Sequence, residues 1–91
     1  MGVTVKIPTQ LRDATGGAGE LAAEGTTVGA VLEDVYGRFG TLRERIAGDD
    51  GELRRFVNVY VGGEDIRFLD GLDTSVDDGG EVTILPAVAG G

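Results

Sequence analysis

The residues of this chain best suited to chemistry are its last ones, Pro86-Ala87-Val88-Ala89-Gly90-Gly91, an uncharged run whose final glycine carries the α-carboxylate. Glycine buries no side chain and loses the most backbone entropy on ordering, so a domain has little packing use for such an end. The missing Cβ atoms let other groups approach the backbone closely, which suits a carboxylate threaded into a partner's active site. A frayed terminus has the same composition, and the tail alone does not separate the two readings. Side-chain chemistry is otherwise sparse. The chain has no cysteine and no histidine, so it offers no disulfide, no thiolate or imidazole metal ligand and no Cys/His nucleophile–base pair. No catalytic residue and no metal site is expected in the domain itself. The acidic pairs Asp49/Asp50, Glu64/Asp65 and Asp77/Asp78 sit beside glycines. None has calcium-loop spacing, and each reads as part of a solvated turn. Gly16-Gly17-Ala18-Gly19 lacks the Lys-Ser/Thr pair and the following helix that a phosphate loop needs.

The elements that must position the tail belong to one small domain. A length of 91 residues fits a single core, and 41% hydrophobic with 26% charged residues is ordinary for a folded domain. The formal charge of −8 opposes nucleic-acid and anionic-membrane binding and favours partners with basic docking surfaces. Met1-Gly2-Val3-Thr4-Val5-Lys6-Ile7 contains no apolar run long enough for a signal peptide or membrane span. Gly2 lacks a myristoylation context, because Lys6 stands where Ser or Thr is required. The expected location is cytoplasmic.

Val3, Val5 and Ile7 alternate with Thr4 and Lys6, which predicts a half-buried strand ended by Pro8. A glycine-rich turn over residues 15–19 precedes a weaker strand over 20–23. Thr26 or Thr27 then caps a helix whose apolar stripe runs Val28, Val31, Leu32, Val35, Tyr36 and Phe39, with Glu33, Asp34 and Arg38 turned to solvent. Gly37 and Gly40 end that helix or weaken its last turn, and residues 42–46 add a short one. Residues 48–52 form a loop. The strongest strand follows at Phe56-Val57-Asn58-Val59-Tyr60-Val61, a short strand is expected over 66–69, and the last strand covers 81–85 after a tight turn at 77–80. Two hairpins flanking one helix imply an α+β fold with a mixed sheet of four to five strands and one main helix across one face. A β-grasp arrangement with the first and last strands as central neighbours meets these constraints, and an antiparallel α+β sandwich is the other candidate. Residues 1–86 are expected to form the β-grasp domain and residues 87–91 a flexible diglycine tail. If Val57, Val59, Val61, Val82 and Ile84 face the helix, period-two alternation puts Phe56, Tyr60 and Leu85 on the other face. There they form either a docking surface beside the tail or a patch covered by a loop.

Several of these segments together resemble the MoaD/ThiS family of ubiquitin-like sulfur carriers. They are the helix entry Thr27-Val28-Gly29-x-x-Leu32, the Phe56–Val61 strand, the run Asp65-Ile66-Arg67-Phe68 followed by Gly71-Leu72-Asp73-Thr74, and the ending from Asp78 through Gly91. The resemblance covers essentially the whole chain and is nearest to the carriers that serve cysteine biosynthesis. Many molybdopterin-synthase small subunits have Phe-Pro-Pro where this chain has Leu85-Pro86-Ala87, which moves the reading toward the cysteine pathway.

The resemblance implies that an E1-like adenylyltransferase/sulfurtransferase uses ATP to adenylate Gly91, after which a sulfur donor displaces AMP and leaves a C-terminal thiocarboxylate. Val88, Ala89 and Gly90 would thread the tail into the partner, and Phe56, Tyr60, Leu85 and Pro86 would dock it. The thiocarboxylate sulfur would attack an aminoacrylate on a pyridoxal-phosphate cysteine synthase, and a metal-dependent peptidase would release cysteine. No cofactor would be bound by the carrier, which would be a non-enzymatic cosubstrate and a monomer when free. The small subunit of molybdopterin synthase and a ubiquitin-like protein modifier remain the alternatives. The chain has a single lysine, Lys6, which does not allow varied modifier chains.

Overall fold

The computed structural model describes residues 2–48, 53–54 and 57–86. The alternating first segment is β1 (Val3–Lys6), with Val3 and Val5 buried and Thr4 and Lys6 half-buried on the opposite face. Pro8 stops this strand, and a 3₁₀ helix over Thr9–Thr15 leads round to β2 (Glu20–Ala23), which pairs antiparallel with β1. Pro8 at its N-cap and Gly16 at its C-cap, with φ at 67°, bracket that helix. This is the usual order of a proline at the start and a glycine just past the end.

Helix α1 (Val28–Arg38) begins at Thr27, whose Oγ1 accepts a hydrogen bond from the Ala30 amide at 3.2 Å. The hydroxyl satisfies one of the four amides that a helix start leaves unpaired. Gly25 makes the approach to this helix possible. A Cβ there would lie 2.8 Å from the Val31 amide nitrogen, closer than any side chain tolerates. The helix buries Val28, Val31, Leu32 and Val35. Gly37 lies inside α1 and Gly40 opens α2 (Gly40–Ile46); the break falls on Phe39, which caps the first helix and starts the second with φ −132° and ψ 81°. Leu42 and Ile46 extend the apolar stripe across this break, both fully buried.

The strands β3 (Val57–Val61), β4 (Glu64–Asp65) and β5 (Glu81–Pro86) complete a five-stranded sheet in the order β2-β1-β5-β3-β4. The first and last strands are central neighbours and run parallel, and the other pairings are antiparallel. This is the mixed sheet of the β-grasp expectation, not the antiparallel alternative. Val5, Val59, Val82 and Ile84 from the sheet meet Val31, Leu32 and Val35 from α1 in one core.

The expected strand over 66–69 is not one. The chain leaves the sheet after Asp65 into a 3₁₀ helix over Ile66–Phe68, because the Asp65 carboxylate accepts from the Arg67 amide at 2.9 Å. A side chain that captures a nearby amide in this way competes with the strand ladder and turns the backbone. A second 3₁₀ turn, Gly71–Asp73, then ties the start of α1. The Val28 amide donates to the Thr74 carbonyl at 2.9 Å, and the Val76 amide to the Thr26 carbonyl at 2.9 Å.

Candidate functional site

The site is built on β5, the strand that leads to Gly91. Its register is Val57 opposite Pro86, Asn58 opposite Leu85, Val59 opposite Ile84 and Tyr60 opposite Thr83. On the other side Lys6 lies opposite Thr83. Cross-strand partners share a face, so two rows cross the sheet on the side away from α1. One row is Lys6, Thr83 and Tyr60; the next, nearer the C-terminus, is Leu85 and Asn58. Val82 and Ile84, between them in sequence, point the other way and are fully buried.

The sequence-derived docking residues therefore divide as follows. Leu85 is 42% exposed, and Tyr60 is half-buried on the same face. They are diagonal neighbours, a spacing that large side chains can bridge. Leu85 is open to solvent, which favours the docking alternative over a covering loop at that residue. Pro86 is the last residue of β5. Phe56, Val88, Ala89, Gly90 and Gly91 lie outside the described residues.

Two residues that the sequence did not single out for this site, Lys6 and Arg12, stand along one side of β5. A groove of about 470 Å³ runs between the ends of β1 and β5, with Pro8, Arg12, Lys6, Glu20 and Leu85 in its walls. Arg12 is held there by its Nε, which donates to the Ile7 carbonyl at 3.1 Å. Gly19 leaves the room: a Cβ at that position would lie 3.0 Å from the guanidinium carbon. Lys6 Nζ stands 2.8 Å from Glu20 and 3.9 Å from Glu81. The hydrogen bond to Glu20, then the charges of Glu20 and Glu81, raise the lysine pKa above its usual 10.5. The same hydrogen bond and charge lower the Glu20 carboxyl below 4.5. Two cations thus line the groove beside β5 in a chain of net charge −8, Lys6 opposite Thr83 and already paired with Glu20. Nothing in the local sequence marks Arg12 for this position, since its placement depends on the 3₁₀ helix after Pro8.

These side chains can bind and orient. They contain no nucleophile and base in contact, and among the described residues no group of three His, Cys, Asp or Glu side chains is placed to hold a metal ion. No helix among the described residues is long and apolar enough to cross a membrane. The arrangement is a sheet that presents an exposed leucine near the end of β5 and two cations in the groove beside that strand.

A β-grasp domain with such a surface belongs to the ubiquitin-like class. A model of the ThiS family matches residues 5–91, and the chain belongs to that family. It is 52% identical over 93 residues to the sulfur carrier protein CysO of Mycobacterium tuberculosis, covering 100% of both chains. It superposes with a TM-score of 0.90 on a chain in the crystal structure of the Amycolatopsis orientalis BexX/CysO complex, at 49% identity, covering 98% of this chain and 99% of that one. It is also 42% identical over 65 residues to small archaeal modifier protein 3 of Haloferax volcanii, covering 71% of this chain and 70% of the relative.

Proposed function

We propose that this protein is a sulfur carrier whose Gly91 carboxylate is converted to a thiocarboxylate that supplies sulfur for cysteine biosynthesis. The observation that carries this reading is the end-to-end 52% identity to a protein named sulfur carrier protein CysO. The chemistry agrees with the residues. A carboxylate is a poor electrophile, so an E1-like enzyme uses ATP to form the Gly91 acyl-adenylate, releasing pyrophosphate. Hydrosulfide delivered at that enzyme attacks the acyl carbon, the carbon–oxygen bond to AMP breaks and AMP leaves, and the sulfur stays on Gly91 as the thiocarboxylate. With no cysteine in the chain, no side-chain thiol competes for the sulfur. The domain works as a handle: β5 fixes where the tail begins, and the enzyme supplies the catalysis. The thiocarboxylate sulfur then attacks an aminoacrylate held by a pyridoxal-phosphate cysteine synthase, and a metal-dependent peptidase releases the amino acid. The superposition on a chain of the BexX/CysO complex supports protein partners for the carrier.

The likeness to small archaeal modifier protein 3 favours a second reading, in which Gly91 acylates amines of target proteins. One experiment separates the two. Incubation with the activating enzyme, ATP and a sulfur source, followed by intact-mass spectrometry, is expected to show a species about 16 Da heavier, from replacement of one oxygen by sulfur at Gly91. A mass that never moves overturns the carrier reading. Protein adducts without the 16 Da species support the modifier.

A further inference from the structure

Phe68 is 85% exposed, the most exposed large hydrophobic side chain among the described residues, and Leu69 beside it is 41% exposed. Both lie outside the Leu85 row. A phenyl ring left in water forfeits the free energy of burying it, so an aromatic residue held out rigidly points to a surface that covers it.

Its mount is rigid. Phe68 closes the 3₁₀ turn whose first residue, Ile66, is 1% exposed and anchored in the core. The Asp65 carboxylate accepts from the Arg67 amide at 2.9 Å and from its guanidinium at 3.0 and 3.3 Å, and Arg67 also donates to the Asn58 side-chain oxygen. The Leu69 amide donates to the Ile66 carbonyl at 2.9 Å, and the Asp70 amide to the buried Thr74 hydroxyl at 3.1 Å. A side chain fixed in this way loses little backbone freedom when it binds.

Its position and charge say what kind of partner fits. Asn58, which receives Arg67, is the cross-strand partner of Leu85. The turn bearing Phe68 therefore flanks the same end of the sheet from which β5 runs toward Gly91. The segment that carries it is acidic on balance: Glu64, Asp65, Asp70 and Asp73 stand against Arg67, which Asp65 already engages, and Arg54, which lines the same pocket as Ile66 and Arg67. Glu64, Asp70 and Asp73 are exposed.

We propose that Phe68 is a second docking anchor, separate from the Leu85 face, that seats in an apolar pocket with a Lys/Arg rim on the enzyme that activates Gly91. The ring supplies the desolvated contact, and the surrounding carboxylates meet the basic rim and speed encounter. This rests on the carrier reading above. Placing the anchor at the tail end of the sheet fixes the carrier at two points, so the tail can enter at one depth only.

The test uses the full chain and the purified activating enzyme. Phe68→Ala is expected to weaken binding about 10- to 100-fold by calorimetry, the range for loss of an aromatic anchor. Its melting temperature should match wild type, and saturating enzyme should restore the loading rate. Phe68→Tyr should restore affinity, and Asp70→Asn with Asp73→Asn should slow association and flatten its salt dependence. Binding by Phe68→Ala within twofold of wild type, in a chain that still loads sulfur, overturns the anchor alone. A wild-type chain that the enzyme neither binds nor loads overturns the carrier reading and the anchor with it. A fall in melting temperature large enough to account for the weaker binding assigns Phe68 to the fold. A wild-type dimer in sedimentation that Phe68→Ala dissociates assigns the patch to a second copy of this chain. Either result overturns the proposal.

Discussion

Leu85 and Ile84 are neighbours on one strand and do different work. Ile84 is fully buried under α1, whereas Leu85 is 42% exposed on the opposite face, one strand spacing from Asn58. Replacing Leu85 by Asp should therefore leave the fold intact, since a carboxylate there stays in water. The substitution should weaken binding to the activating enzyme by about 1–3 kcal/mol, the scale for an interface anchor. Isothermal calorimetry and a thermal melt on the same sample check both halves. Unchanged affinity with a collapsed melting temperature would place Leu85 in the core and remove it from the interface. The nearby Lys6–Glu20 pair carries a different expectation. It is short at 2.8 Å but lies in solvent, and exposed pairs contribute little and are screened by salt. Its visible consequence is local, holding the one lysine of the chain between two carboxylates at the foot of the groove.

At the scale of elements, α1 sets the stability of the sheet that presents the tail. Leu32 is 1% exposed at the middle of the buried stripe. Leu32→Ala should cost roughly 2–4 kcal/mol, because truncation leaves a cavity as well as forfeiting burial. Glu33→Ala, one residue on and solvent-facing, should change stability by less than about 0.5 kcal/mol. Equal denaturation midpoints would mean that the helix presents another face. This helix was legible in the sequence because its burial repeats every three to four residues and nothing competes with it. The sheet order was legible for a similar reason: alternation fixed which residues of the first, third and last strands face inward, and few topologies bury all three. The 3₁₀ helices were not. The turn over Ile66–Phe68 depends on a single carboxylate that captures the Arg67 amide, and its residues, rich in Ile and Phe, have strand composition. The Thr9–Thr15 helix did leave a signal, Pro8 before it and Gly16 after it, but each residue also serves as an ordinary strand stop or turn. That ambiguity hid Arg12 and the groove it lines.

At the scale of the whole molecule, two parts with different physical demands share one chain. The domain needs its core, and the last core residue in sequence among those described is Ile84. The proposed function asks for an open carboxylate at a set distance from the sheet. The composition of 87–91, with two glycines, two alanines and no charge, offers little to bury and much for a narrow channel to clasp. Deleting Gly91, or replacing Gly90 by Val, should therefore leave circular dichroism and melting temperature unchanged, since both changes lie beyond Ile84 in sequence. Sulfur loading should be abolished by both. The deletion moves the carboxylate back by one residue, about 3.5 Å of extended chain, and a misplacement of even ~1 Å can cost ~100-fold in rate. The valine leaves the carboxylate in place and adds a β-branched side chain where a channel would close on bare backbone. The two variants thus fail for different reasons. Raising the concentration of activating enzyme should rescue neither, because neither change alters the sheet through which docking is proposed. A deletion variant that loads sulfur at the wild-type rate would falsify the assignment of Gly91 as the working group.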